Sequence, residues 1–339
     1  FNTDTSNLEY YRGKTIGWSQ FELIDPELGG GTGSNTGLGT RAVLPGGSSS
    51  PDPQSESMSF VTISTLGNTQ DFGDLAAGQN ANAGASSRTR GISFGGSQAS
   101  PVGRVNTIEF FTFASLGNAA NFGDMTVVRA ELGSTSNNVR GIAAGGSPGP
   151  KDELDYITIA QTGNSVDFGN LAVAREGLTQ GCISNGTRGI FSGGNSPTFL
   201  NNIEFVTIMS TGNTSDFGDL SATNSRQASC CSSTRGLFAG GYKTPTVFNT
   251  IEFVTIATTG NSADFGDLTS ARYNSGGASS PTRGLFLGGQ PGPNAVNVID
   301  FVEIATLGNA ADFGDCDVAG ATNGVIRPTG TSSNGHGGL

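Results

Sequence analysis

The 339-residue chain carries 54 glycines, 28 acidic against 17 basic residues, one histidine and a formal net charge of −11. The acidic balance argues against a nucleic-acid partner, because a phosphate-binding face needs clustered Lys and Arg. No apolar run approaches the roughly 20 residues of a membrane helix, so no membrane insertion is expected, and the glycines lack the three-residue period of collagen.

The chain begins at Phe1 and shows no readable signal peptide, so it is taken as processed or as part of a longer polypeptide. Residues 1–28 form a distinct segment, predicted as two short strands around a polar turn, with Tyr10, Tyr11 and Trp18 supplying apolar faces. A lone hairpin is marginal in water, so this attachment segment is expected to pack on something else. Residues 29–39 have the composition of a flexible Gly-rich linker.

From Thr40 onward one phrase recurs. Its clearest copy is Thr282-Arg-Gly-Leu-Phe-Leu-Gly-Gly289, and variants begin at Thr40, Thr89, Val139, Thr187 and Thr234. The arginines stand at 41, 90, 140, 188, 235 and 283, spaced by 49, 50, 48, 47 and 48 residues, a period of propellers and solenoids. Within one repeat, Ala271–Ser280 has small side chains and suits an inner strand in the crowded space near an axis. Arg283–Gly289 follows as the second strand, Ile299–Ile304 as the third, and Asp312-Phe-Gly-Asp315 opens an outer fourth strand after a tight turn at Gly308-Asn309. Four antiparallel strands in each of six repeats predict an all-β, six-bladed propeller over residues 40–328.

The first copy lacks an inner strand, while Val318–Arg327 resembles the start of a surplus one. Residues 318–328 are therefore expected to complete the blade built from residues 40–76, closing the ring with the C-terminal strand. Residues 329–339, a Gly/Ser-rich tail that includes His336, are expected to be disordered.

Two resemblances follow from these residues. Asn2-Thr-Asp-Thr5 and Leu8-Glu-Tyr-Tyr11 resemble a segment common in tail-fibre and other virion-appendage proteins of tailed bacteriophages, with Thr15-Ile-Gly17 as a departure. The Thr-Arg-Gly, Gly-Gly and Asp-Phe-Gly-Asp arrays look like those in virion proteins of such phages, including phages of aquatic cyanobacteria. Over residues 40–328 the Ala-Arg start, the Gly-Gly ending the second strand and the fourth-strand aromatic resemble kelch-type propellers. The usual kelch Tyr and Trp are replaced here by Phe, Val or Ile. Kelch-like architecture is what this resemblance implies; it implies no partner.

The repeat arginines Arg41, Arg90, Arg140, Arg188, Arg235 and Arg283 are expected to pair, across strands or between blades, with the third-strand acids Glu109, Asp155, Glu204, Glu252 and Asp300. Ser59 stands at that position in the first blade, so Arg41 needs another acceptor. Asp71, Asp167, Asp216, Asp264 and Asp312 precede Phe-Gly and are read as Asx-type caps on backbone N–H groups. Structural calcium is the alternative for these oxygen-rich turns, and no other cofactor is expected. The kinase meaning of Asp-Phe-Gly is excluded, since no nucleotide or catalytic loop accompanies it. Phe72, Phe122, Phe168, Phe217, Phe265 and Phe313 are expected to pack between blades. Cys182, Cys230, Cys231 and Cys316 lack metal-site spacing and read as small buried residues.

His336 is the only histidine and lies in the tail, so neither a His-assisted triad nor a multi-His metal site is available to the propeller. No catalytic residue is expected. Variation concentrates in the second-to-third-strand loops, roughly 48–57, 97–107, 147–154, 195–202, 242–250 and 290–298, which emerge on one side of the disc. They carry Arg104, Lys151, Phe199, Tyr242, Lys243 and Phe248 as candidate binding residues. The resulting expectation is a non-enzymatic virion protein, a tail fibre, spike or surface appendage, exposed on the particle and part of a homo-oligomer among other virion subunits. Its propeller would present a face to a host-surface glycan or protein. A purely structural decoration protein and a polysaccharide-acting hydrolase are the alternatives.

Overall fold

The computed structural model describes residues 40–48, 54–178, 183–316 and 330–339, with the backbone of two short strands near the N-terminus, Glu9–Tyr11 and Trp18–Gln20. Those two strands pair antiparallel, with Tyr11 opposite Trp18, as the sequence predicts. The linker 29–39, the segment 318–328 and Cys182 lie outside the described residues.

The remaining strands build six antiparallel blades around one axis, each holding an inner, second, third and outer strand in that order. In blade 5 these are Ala228–Cys231, Arg235–Ala239, Thr250–Thr255 and Ala263–Asp267. Blades 1 to 6 are counted from the repeat arginines 41, 90, 140, 188, 235 and 283. The second-to-third loops of blades 4 and 5 fold into extra two-stranded hairpins, Asn195–Ser196 with Thr198–Phe199 and Tyr242–Lys243 with Thr246–Val247.

Small inner-strand residues are required because neighbouring blades hydrogen-bond through them. Ser136 Oγ donates to Ser86 O at 3.0 Å, Ser184 Oγ to Ser136 O at 2.6 Å, Cys231 Sγ to Ser184 O at 3.4 Å, and Ser279 Oγ to Cys231 O at 2.8 Å. Ser86 Oγ donates to Ser333 O at 2.7 Å, and Ser333 Oγ accepts from Ser279 N at 3.2 Å, which closes the ring. Cys230, Cys231 and Cys316 are buried, as expected for space-filling residues, and burial pushes the Cys230 thiol up.

Six hydrophobic clusters each join two adjacent blades; one unites Leu287, Ile299 and Phe313 of blade 6 with Ala42, Leu44 and Ile63 of blade 1. The six Phe of the Asp-Phe-Gly-Asp phrase and its variants sit in these clusters, each ring worth about 1.5–3 kcal/mol in burial.

The rim is clasped by the same phrase. Gly117 N donates to Phe72 O at 2.8 Å, Ala119 N to Asp74 O at 2.8 Å, and Asp74 N to Asn118 Oδ1 at 3.1 Å. The pattern repeats to Asp315 N on Asn68 Oδ1 at 3.0 Å, from blade 6 to blade 1. Gly73 (φ 144°) has to be glycine, since a Cβ there would stand 2.5 Å from the backbone of Gly117. Gly308-Asn309 therefore does not form a tight hairpin: it sits in a longer connection between Glu303 and Ala311 and docks on the neighbouring blade. The expected Asx caps are corrected likewise. Asp71, Asp167, Asp216, Asp264 and Asp312 are exposed, and the cap comes from the asparagine of the next blade.

The ring closes through the C-terminal region, but further along than residues 318–328. Ser333 and Ser332 pair with Ala42 and Val43, the register that Ser86 and Ala85 hold on Gly91 and Ile92 in blade 2. The tail is not disordered: Thr331 to Gly338 are buried. After Ser333 the chain crosses the end of the channel. His336 reaches Ser136 Oγ at 3.2 Å and Ser184 Oγ at 3.3 Å, Gly337 N donates to Cys231 O at 3.1 Å, and Arg41 N donates to Asn334 Oδ1 at 2.8 Å. Gly338 N donates to His336 Nδ1 at 3.1 Å, which assigns the ring proton to Nε2.

The repeat arginines do not meet Glu109, Asp155, Glu204, Glu252 or Asp300; the cross-strand pair that does form is Arg283 with Glu303, at 3.0 Å on the exposed side. Each guanidinium lies over the aromatic ring of its own third strand, from Tyr156 at 4.5 Å to Phe301 at 4.8 Å. Each also donates to a carbonyl of the next blade, as Arg235 does to Ile304 O at 2.8 Å and Arg41 to Phe113 O at 2.7 Å. Register explains the correction: Arg235 faces Thr255, whereas Glu252 faces Phe238 three positions along, an odd offset that puts the two on opposite sides of the sheet. Three of the acids pair instead with arginines that precede the inner strand of their blade, Arg129 with Asp155 at 2.9 Å, Arg175 with Glu204, and Arg272 with Asp300 at 3.0 Å, while Glu252 accepts from Ser221 N at 3.2 Å. All three arginines are fully buried.

Blade 2 has Gln79 in the arginine's place, its Nε2 3.3 Å from Glu109 Oε2. Burial pushes the Glu109 carboxyl up, partly opposed by the N–H of Ala76. With the folded pKa above its ordinary value of 4.5, the stability this group contributes is full below that value and is lost as pH rises through the raised one. Glu109→Gln, which keeps the acceptor for Ala76, is expected to flatten this decline. Melting temperatures from about pH 4.5 to 7 would check it, and equal slopes in both proteins would contradict it.

Candidate functional site

The linkers between blades lie on the same side of the disc as the variable loops, and each described one places a left-handed residue near the axis. These are Ala81, Glu131, Gly177, Arg226 and Asn274, with φ of 55, 56, 63, 58 and 54°. They form a chain of backbone bonds around the mouth: Glu131 N donates to Ala81 O at 2.8 Å, Gly177 N to Glu131 O at 3.0 Å, Arg226 N to Gly177 O at 2.9 Å and Asn274 N to Arg226 O at 3.0 Å. Four of the five carry a side chain in a conformation that costs on the order of 1 kcal/mol, and such strain gathers at functional sites.

At blade 4 this position is glycine, and the residues on either side meet over it. Arg226 Nη2 lies 3.1 and 3.2 Å from the two carboxylate oxygens of Glu131. Both side chains are about one-third exposed, so the pair orients groups more than it stabilises the fold. Glu176 stands beside them, its backbone paired with Asn195. Burial pushes the Glu176 carboxyl up and the negative charge of Glu131 adds to this, while Arg226 and Arg104 pull it back.

The two extra hairpins build the wall. Tyr242 stacks on Tyr273 with ring centroids 4.9 Å apart and 29° between planes, and meets Phe199 edge-on at 5.9 Å. Between this wall and the charged residues lies a cavity of about 200 Å³ lined by Glu131, Glu176, Asn195, Phe199, Arg226 and Tyr242, with Gly177 and Ser225 as its floor. Asn195 Oδ1 is buried there without a hydrogen-bond partner.

The expected binding residues divide accordingly. Phe199 and Tyr242 line the cavity, and the exposed Arg104 acts on Glu176 by its charge while donating to Ser147 Oγ at 3.2 Å. Lys151 pairs with Glu153 at 4.0 Å, Lys243 is exposed, and Phe248 binds the Arg272 N–H through its carbonyl; none of the three lines the cavity. Sequence reasoning missed Glu131, Glu176, Asn195, Arg226 and Tyr273. Their signal was departure from the repeat, since the linker positions of Glu131 and Arg226 hold Ala81 and Asn274 in other blades. Among the described residues no three His, Cys, Asp or Glu side chains converge as metal ligands.

The cavity combines a fixed aromatic face, a neutralised ion pair and hydrogen-bond acceptors on a rigid disc, an arrangement suited to recognition. Compared with known proteins, the chain matches no family model and no curated protein.

Proposed function

We propose that this chain is a non-enzymatic virion appendage protein, a tail fibre, spike or surface subunit, whose N-terminal segment attaches and whose propeller displays its loop face to a host-surface glycan or protein. The observation that carries this reading is that the departures from six-fold repetition that build a cavity gather on one face. There the blade 4 and 5 hairpins and three linkers enclose a cavity, while the ladders, rim clasps and inter-blade clusters are repeated in all six blades. The resemblance of residues 2–11 to phage appendage segments supports the attachment role, and the kelch likeness bears on architecture alone.

A second reading, a module that only packs against other virion subunits, draws on the opposite face. Leu66, Leu116 and Leu307 are more than half exposed in the rim turns of adjacent blades 1, 2 and 6, where blades 3 to 5 carry Thr162, Thr211 and Thr259. Labelled chain applied to a panel of bacterial cells and to a glycan array separates the two. Display predicts saturable adhesion that is lost when the 242–247 hairpin is replaced by a short Gly-Ser turn. Absence of adhesion, with the loop face buried between subunits in an image of the particle, would favour packing alone.

A further inference from the structure

We infer that the cavity over Gly177 is a carbohydrate subsite that seats one uncharged pyranose ring on the Tyr242 side, with ring hydroxyls bonding to the Asn195 side-chain amide and the Glu176 carboxyl. The inference starts from the display reading and names the chemistry of its ligand.

Four observations converge on it. Asn195 lines the cavity, its backbone is paired with Glu176 at 2.8 and 3.1 Å, and its Oδ1 is buried without a hydrogen-bond partner. A buried acceptor left in that state is costly, and a ligand O–H relieves it. Next, Glu131 and Glu176 are matched by Arg226 and Arg104, so the charges at the mouth cancel and favour neither a phosphorylated nor a strongly cationic ligand. The aromatic face is fixed in advance, because Tyr242 is braced by Tyr273 and Phe199; an apolar C–H face of a sugar can lie on it without ordering a loop. Finally, about 200 Å³ is smaller than the roughly 300 Å³ at the low end of drug-sized pockets, which suits a single ring of a longer glycan.

The test uses the full chain with the methyl glycosides of glucose, galactose, mannose and N-acetylglucosamine, followed by saturation-transfer NMR and titration. At least one glycoside should show saturated ring protons. Its dissociation constant should rise about tenfold or more in Tyr242→Ala and in Asn195→Ala, and stay unchanged in Lys243→Ala on the same hairpin. Melting curves establish that each variant is folded, and Asn195→Ala serves alone if Tyr242→Ala disturbs the hairpin. Lack of saturation by any of the four in folded wild-type protein, or affinity that survives the substitutions, overturns the subsite. Adhesion to cells without glycoside binding removes the subsite and leaves the display reading standing; glycoside binding without adhesion does the reverse.

Discussion

Deleting residues 330–339 is expected to remove on the order of 5 kcal/mol, comparable to the whole stability of a marginal domain, and to replace one cooperative unfolding step with a broad one. The deletion takes away the inner strand of blade 1 and exposes the edge of Arg41–Pro45, whose residues Ala42 and Val43 are fully buried. It also strips partners from Ser86 Oγ, Ser279 N and Arg41 N, all at the crowded end of the channel. A milder variant isolates the crossing itself. A Cβ at Gly337 would run into the carbonyl of Ser232, so Gly337→Val should lower the melting temperature while leaving the Ser332–Ser333 pairing intact. Calorimetry of the two variants measures this. A deletion that melts as sharply and as high as the parent would mean the tail fills space without closing the ring.

Arg129→Ala is expected to cost about 3–5 kcal/mol in denaturant unfolding. Arg129 is fully buried and donates to Asp155 Oδ2 at 2.9 Å, to Glu153 O at 2.6 Å and to Gly145 O at 3.1 Å. Without it Asp155, only 1 % exposed, keeps Thr126 as a hydrogen-bond donor but has lost the cation that offsets its desolvation. The comparison is Lys151→Ala, which removes a partly exposed pair with Glu153 at 4.0 Å and should change stability by less than about 1 kcal/mol. Equal effects from the two would show that the linker arginines are spectators. Burial lowers the affinity of the Arg129 guanidinium for its proton, opposed by the charges of Asp155 and Glu153.

Blade number, strand order and the small inner strand were legible because each is written as a period, and every copy repeats the same physical demand. The Phe of Asp-Phe-Gly-Asp is apolar in every blade and could hardly lie elsewhere than between sheets. The roles of polar groups were less legible. Arg235 and Glu252 belong to adjacent strands and invite pairing, but the register offset by three residues separates them, and the carboxylate accepts instead from Ser221 N at 3.2 Å, while the equivalent acids of other blades meet Arg129, Arg175, Arg272 or Gln79. The tail misled for a similar reason. Glycine and serine in Ser332-Ser-Asn-Gly-His-Gly-Gly338 read as disorder when nothing surrounds them, yet they are what a channel too narrow for larger side chains admits.

By itself the amino-acid order determined the six-fold repeat, the antiparallel four-stranded unit and a ring shut by the C-terminal region, because hydrophobic alternation and turn residues act over a few neighbours. Only the tertiary structure decided which segment shuts the ring, where the buried charges find partners, and that Glu131, Glu176, Asn195, Arg226 and Tyr242 share one cavity. These residues span more than a hundred positions and three linkers, and they meet because the blades are wrapped around a common axis, a distance relation that no local pattern encodes.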